Sequence, residues 1–361
     1  MKILYSNRTL YPFEGGADIS ALTLLDELAK KYEVSAVYIG EELKNSKIKC
    51  YPKKIKQKKG VWINSYFLNK KWEKILSKII KEEKPEIVIA QDYLVPSSVK
   101  IAKRYGIKSI VFLRSYMHLS IDGFMSYLPE EKKPGKTKEL SYKIQYPFYK
   151  LVVKRYQKAL RDADLVCSVS NYVKDITFDY LGVNSEVIRP FVKTEVKDSL
   201  KEYITLINPD VHKGLDIFKQ IVKRLPEKKF LVSGKEIRFD EGNVKVIKWT
   251  DDIKEIYSKT RLLLVPSIWP DPCPRVCIEA MANGIPFIVS NKGGLPEEAK
   301  DCGLVIENIN DIDEWVKAVI KFDEKAFYED MSKKAKWKFL EFGFNRQFNK
   351  FELLLKSLFK H

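Results

Sequence analysis

A chain of 361 residues with 45% apolar and 31% charged residues has globular composition and the length of two ordinary α/β domains. Five scattered cysteines and three isolated histidines read as reduced thiols and lone imidazoles, which excludes a zinc set or a disulfide framework. A net charge of +17 admits nucleic acid, an anionic membrane surface or a polyanionic substrate as partner, or reflects only the lysine usage of the genome.

The opening Met1–Asn7 holds one lysine and an apolar run too short for a secretory signal, so it reads as a first β-strand and the protein as cytoplasmic. No apolar run approaches the roughly 20 residues that a spanning helix needs. Runs rich in Ile and Val recur at Lys2–Tyr5, Val34–Ile39, Glu86–Ala90, Ser109–Leu113 and Leu165–Val169. A second series holds Tyr203–Ile207, Phe230–Val232, Val244–Ile247, Leu262–Val265, Pro286–Val289 and Leu304–Ile306. Stretches of helical spacing lie between them: Ala21, Leu24, Leu25, Leu28 and Ala29 share one face, as do Phe348, Phe351, Leu355 and Leu358. Such strands predict parallel sheets covered on both faces. Two series predict two doubly wound domains, over 1–185 and 186–342, with a last helix over 343–361 returning to the first. Open α/β sheets bind ligands outside the carboxyl ends of their strands, so a cleft between the domains is the expected site.

The charge is unevenly spread. Lys44–Lys59 holds eight lysines and no acid, and Leu68, Trp72, Ile75, Leu76 and Ile79 follow on one helical face. Lys132–Arg161 holds ten basic residues against one acid, interleaved with Tyr142, Tyr146, Phe148, Tyr149 and Tyr156. Basic clusters with aromatics suit lipid headgroups, which predicts a first domain docked peripherally on an anionic membrane. The alternative is that the apolar face packs into the core and the lysines are solvated. No zinc finger, helix-turn-helix spacing or aromatic ribonucleoprotein motif supports nucleic acid. Asp251-Asp252 and Asp162-Ala-Asp164 read as helix-boundary acids, not as a metal site.

The most informative stretch is Val265-Pro-Ser-Ile-Trp-Pro-Asp-Pro-Cys-Pro-Arg-Val-Cys-Ile-Glu-Ala-Met-Ala-Asn-Gly-Ile-Pro. A buried strand ends at Val265, a proline-rich loop follows, and a helix begins near Pro274 and stops at Gly284. The amides of Arg275 and Val276 then form a helix N-terminus suited to phosphate. Asp271 precedes the helix and Glu279 lies inside it; alone, the stretch reads equally as a capped helix with a solvated Glu279.

With its surroundings, the stretch resembles the signature of glycosyltransferase family 4, the retaining group 1 transferases of the GT-B fold. The match is Asp271, then Glu279-Ala280-Met281-Ala282, Gly284 and Pro286, followed by Gly293-Gly294-Leu295-Pro296-Glu297. The resemblance implies an α/β fold of two Rossmann-like, doubly wound domains facing across a cleft. It implies that Glu279 binds the donor ribose and that Asp271, where Glu is usual, lies against the transferred sugar. Cys273-Pro274 replaces the common Phe-Gly. Phe13-Glu-Gly15-Gly16-Ala-Asp18 is similar to the family's Gly-Gly loop after the first strand, where glycine lets backbone approach a phosphate or sugar. Asn208-Pro209 with Lys213-Gly214-Leu215 resembles the donor-phosphate segment, so Lys213 would neutralise a leaving diphosphate. Either Arg114 or His118 takes the place of the family's acceptor-side histidine. Ser170 reads as a helix N-cap.

The reaction so implied moves a sugar from a nucleoside-diphosphate sugar to a hydroxyl of a glycan or lipid-linked acceptor, with retention. No essential metal or other cofactor is expected. The nucleobase is placed near Trp249 and the Pro266-Ser267 turn. The same fold also houses nucleotide-sugar epimerases and sugar-phosphate synthases. A basic nucleic-acid-binding protein is the remote alternative.

Overall fold

The computed structural model describes residues 1–44, 46–55, 61–120, 139–193, 201–234, 239, 241–248, 250 and 253–359. The chain divides into two compact units, Met1–Phe191 with Lys350–His361, and Val192–Asn349. The division falls a few residues beyond the expected 185.

In the first unit, seven parallel strands stand in the order β3-β2-β1-β4-β5-β6-β7. They are β1 (Lys2–Ser6), β2 (Glu33–Ile39), β3 (Lys49–Lys53), β4 (Ile87–Gln91), β5 (Lys108–Leu113), β6 (Leu165–Ser168) and β7 (Glu186–Val187). The helices are α1 (Gly16–Leu28), α2 (Val61–Glu83), α3 (Val95–Arg104), α4 (Glu139–Asp162) and α5 (Asn171–Leu181). The apolar runs read from the sequence are the central strands, buried on both sides as parallel strands must be. The sequence reading missed β3, because Lys-Cys-Tyr-Pro-Lys carries the charge and proline that protect an edge strand.

The apolar stripe of α2 faces this core. Trp72, Leu76 and Ile79 pack with Leu4, Val37 and Val88, and the Trp72 indole donates to Ser6 Oγ at 2.9 Å. Tyr149 and Tyr156 of α4 are buried too. A fully buried side chain of this size is worth about 1.5–3 kcal/mol, so this face belongs to the core and not to a membrane. That part of the membrane expectation is corrected.

In the second unit, six parallel strands stand in the order β10-β9-β8-β11-β12-β13. They are β8 (Tyr203–Ile207), β9 (Phe230–Gly234), β10 (Val244–Lys248), β11 (Thr260–Val265), β12 (Phe287–Ser290) and β13 (Gly303–Ile306). The helices are α6 (Leu215–Arg224), α7 (Lys254–Lys259), α8 (Arg275–Ala282), α9 (Leu295–Ala299), α10 (Ile312–Lys321), α11 (Lys325–Phe342) and α12 (Phe344–Ser357). Alternation along β11 separates the two cores. Leu262 and Leu264 join α6 and α10 on one face, while Leu263 and Val265 join α8 and α9 on the other. The last turns of α12 belong to the first unit, where Phe351 meets Phe112 at 5.2 Å and Phe191 at 6.3 Å.

Candidate functional site

Each sheet reverses its strand order once: between β1 and β4 in the first unit, and between β8 and β11 in the second. At such a switch point the flanking loops diverge and leave a crevice beyond the carboxyl ends of the strands. Asn208 and Lys213 follow β8, Asp271 follows β11 and Gly15-Gly16 follow β1, each beside the reversal of its own sheet, while Arg114 and His118 follow β5, one strand away.

In the second unit, the loop after β8 meets the loop after β11. His212 O accepts from Ile268 N at 2.9 Å. Gly214 has φ +76°, and a Cβ there would lie 1.9 Å from Pro266 O, so only glycine lets the two loops close. The closure brings the Lys213 ammonium onto Asp271 Oδ2. Asp271 is buried, and Lys213 is about one-third exposed. A third loop clamps the acid from behind. Gly294 N donates to Asp271 O at 2.8 Å, and Gly293, at φ +62°, leaves no room for a side chain against the same peptide.

The helix α8 begins at Arg275 after Pro274, with no side chain capping its first turn. The first-turn amides of Arg275 and Val276 have no intrahelical acceptor and carry the positive end of the helix dipole. Gly284, at φ +57°, follows the helix and ends it as expected. Glu279 is buried and not solvated: Oε1 accepts from Arg275 Nε at 2.5 Å, and Oε2 from Tyr257 Oη at 2.8 Å. Burial first, and then Glu279, push the Tyr257 hydroxyl well above its ordinary pKa, so it stays a donor. The Arg275–Glu279 pair was readable as an i,i+4 spacing. Tyr257, on α7, was not signalled by any local pattern.

Asn208 stands immediately after β8 with φ +51° and an exposed side chain, and its backbone N–H donates to Ser233 O at 2.7 Å. The Pro266-Ser267 turn is buried in protein, with Ser267 O accepting from Ser290 Oγ at 2.6 Å. Trp249 and Asp251-Asp252 lie outside the described residues. Cys273 donates its thiol to Glu298 Oε1 at 3.1 Å, a contact the sequence reading did not foresee.

In the first unit, Gly15 and Gly16 open α1, with Gly15 in extended backbone and no atom within 4 Å of where its Cβ would stand. Asp18 anchors this loop, accepting from Thr9 Oγ1 and Glu14 N, both at 2.9 Å. His118 is buried, its ring 4.5 Å from Tyr93 and 5.0 Å from Tyr156. Burial lowers its pKa to about 4, so it is neutral at pH 7. Arg114 Nε donates to Gln91 Oε1 at 3.2 Å. Ser170 Oγ caps α5 by accepting from Val173 N at 3.2 Å. Asp162 and Asp164 hold Lys103 at 2.7 Å and Ser109 N at 2.8 Å, as helix-boundary acids do. Among the described residues, no three His, Cys, Asp or Glu side chains are grouped to hold a metal ion, and no helix is long and apolar enough to cross a membrane.

Comparison with known proteins identifies this arrangement. Residues 193–338 match the model of glycosyl transferases group 1, and residues 14–196 match that of glycosyltransferase family 4. A 42.6 kDa uncharacterized protein in the cps region of Klebsiella pneumoniae is 26% identical over 359 residues, spanning 87% of this chain and 92% of that one. A putative glycosyltransferase, YtcC of Bacillus subtilis, is 35% identical over 89 residues, 24% of this chain and 22% of its own. Among solved structures, sucrose-phosphate synthase of Thermosynechococcus elongatus superposes with TM-score 0.75 at 16% identity, over 99% of each chain. HepE of Anabaena in complex with UDP and glucose gives TM-score 0.75 at 15% identity, over 99% of this chain and 100% of that one. The paired Rossmann-like units are thus those of the GT-B class, and the chain belongs to glycosyltransferase family 4, the group 1 glycosyltransferases.

Proposed function

We propose that the enzyme transfers a hexosyl group from a nucleoside-diphosphate sugar to a glycan hydroxyl with retention at the anomeric carbon. The observation that carries this reading is the Lys213–Asp271 ion pair beside the uncapped N-terminus of α8, at the switch point of the second sheet. The diphosphate lies against the amides of Arg275 and Val276, and Lys213 turns toward its leaving oxygen. Asp271, released from Lys213, accepts hydrogen bonds from the sugar. The Glu279 carboxylate, oriented by Arg275 and Tyr257, receives the ribose hydroxyls. The nucleobase is placed beyond Asn208. In the transfer step the C1–O bond to the phosphate breaks, the acceptor oxygen bonds to C1 on the same face, and the hydroxyl proton passes to the departing phosphate.

The acceptor is placed at the switch point of the first unit, beside His118 and the Gly15-Gly16 loop. No metal ion is assigned a role, because Lys213 and the helix amides supply the positive charge. Activity is expected to persist in excess EDTA; its loss, with recovery on adding Mg²⁺, would hand that charge to a metal.

A thermal-shift series of UDP, GDP and ADP tests the reading. The cognate nucleotide at about 100 times its Kd should add about 2.7 kcal/mol of stability. UDP goes first, since HepE was crystallised with UDP and with UDP-glucose. Stabilisation by none of the three overturns the donor assignment.

A smaller form of the membrane expectation is proposed as well. With the α2 stripe in the core, Phe67 and Leu151 remain exposed at 57% and 44%. Phe67 and Phe148 lie 6.3 Å apart, and Lys70, Lys71, Lys150 and Lys154, which follow them on α2 and α4, are exposed. Exposed apolar side chains followed along their helices by exposed lysines suit an anionic bilayer that carries a lipid-linked acceptor.

A further inference from the structure

The switch point of the first sheet holds a charged pair that the sequence reading passed over. Asp92 follows β4 directly and Arg8 follows β1 by two residues, the two strands between which the order reverses. Asp92 Oδ2 lies 3.5 Å from Arg8 Nε, and Asp92 Oδ1 lies 4.0 Å from His118 Nε2. Arg8 also holds Glu14 at 2.6 Å and stands over the Tyr93 ring at 5.5 Å.

Three observations separate Asp92 from a structural acid. Its backbone is left-handed at φ +60°, where a glycine would be unstrained, yet a carboxylate occupies the position. Its side chain is 30% exposed, while His118 beside it is 3% exposed, so the acid, and not the imidazole, meets a ligand. Tyr5 is buried and shares a side-chain hydrogen bond with Asn7, whose Oδ1 is buried without a further partner. Tyr5 lies within electrostatic reach of Asp92. A partly accessible carboxylate beside a partly accessible guanidinium offers the acceptor and donor that a polyhydroxylated ligand requires. A transferase needs a second substrate, and this is the second reversal of strand order in the molecule.

We propose that Asp92 and Arg8 grip the acceptor sugar: the Asp92 carboxylate accepts hydrogen bonds from acceptor hydroxyls, and Arg8 fixes the carboxylate while donating to the same sugar. His118 backs the acid without touching substrate, which moves the acceptor contact from His118 to Asp92. This rests on the glycosyltransferase reading above. Burial raises Asp92 to about 6. The groups facing it are Arg8 from the loop after β1, Tyr5 from β1, Asp18 from α1, Tyr93 from its own turn, His118 from the loop after β5 and Tyr156 from α4. The grip is therefore present when Asp92 is ionised and fades as the pH falls below that value.

The test uses the full chain with four probes: the p-nitrophenyl glycosides of glucose, galactose, mannose and N-acetylglucosamine. Saturation-transfer NMR reads their binding at about pH 7.5 and about pH 5, on either side of the titration. Binding of at least one glycoside by the wild type is expected at the higher pH and a weaker signal at the lower. Asp92→Asn tolerates the same left-handed backbone and should weaken that binding by about tenfold or more at about pH 7.5 and remove its dependence on pH. Nucleotide stabilisation should be unchanged in the variant. Asp92→Gly, free of backbone strain, should melt close to the wild type and still not bind the glycoside. The proposal is overturned if no glycoside binds the wild type, if Asp92→Asn binds as well as the wild type, or if both glycoside and nucleotide binding vanish together in Asp92→Asn. Failure of the glycosyltransferase reading shows differently, as no nucleotide stabilisation in the wild type whatever the glycosides do.

Discussion

Glu279 was legible as a candidate ligand residue only through its motif, because a lone helical glutamate is by default solvated. The structure gives it two donors on opposite oxygens, Arg275 and Tyr257. Glu279→Gln should keep the shape and weaken nucleotide affinity by about 1.5–3 kcal/mol, measured by calorimetry. Unchanged affinity would remove the ribose assignment. Glu279→Ala should also destabilise the fold, because it removes the carboxylate that accepts from Arg275 and from the buried Tyr257 hydroxyl. Lys213→Ala should lower kcat more than it weakens nucleotide binding, since charge on the diphosphate grows toward the transition state. Normal turnover at saturating donor would point to Arg275 instead. His118 and Asp92 give opposite pH dependences of stability. His118 is neutral when folded and gains a proton on unfolding below 6.5, so its share of stability is present above that pH and is lost as the pH falls toward about 4. Asp92 is raised to about 6, so it binds its proton more tightly when folded and stabilises as the pH falls. Between about pH 7.5 and pH 5 these terms are about 2 kcal/mol lost and about 1 kcal/mol gained. Urea titrations at both pH values should show His118→Gln losing less stability on acidification than the wild type, and Asp92→Asn losing more.

At the scale of elements, two glycines with different roles can be told apart. Gly214→Ala puts a Cβ into Pro266 O in a left-handed backbone, and should cost about 1–3 kcal/mol or more. It should also separate the two loops that hold Lys213 and Asp271, so nucleotide binding falls along with Tm. Gly15→Ala meets no protein atom in extended backbone, so Tm should hold. If that loop approaches substrate, activity falls alone; unchanged activity would mark Gly15-Gly16 as a plain turn. Long central strands and their helices were legible because an apolar run buried on both faces has few other solutions. The edge strand β3 was not, because its lysines and Pro52 are the signature of a loop as much as of a protected edge.

For the whole molecule, the charge of +17 bears on surfaces and not on the fold. Sedimentation with anionic and neutral vesicles at low salt should show binding to the anionic ones alone, reduced in Phe67→Ala with Leu151→Ala. Equal binding to neutral vesicles, or none to anionic ones, would leave the lysines merely solvated. By itself the sequence determined the fold class, the two doubly wound units and the stretches Lys213–Leu215 and Asp271–Glu279, because strand runs, helix spacing and glycine placement are local patterns. Only the tertiary structure decided that Lys213 pairs with Asp271, that Tyr257 holds Glu279 and that the α2 stripe is core. It also set Asp92 beside Arg8 and His118. These partners lie 22 to 84 residues apart, and parallel strands meet only after long crossovers, so no local spacing encodes which side chains converge at a switch point.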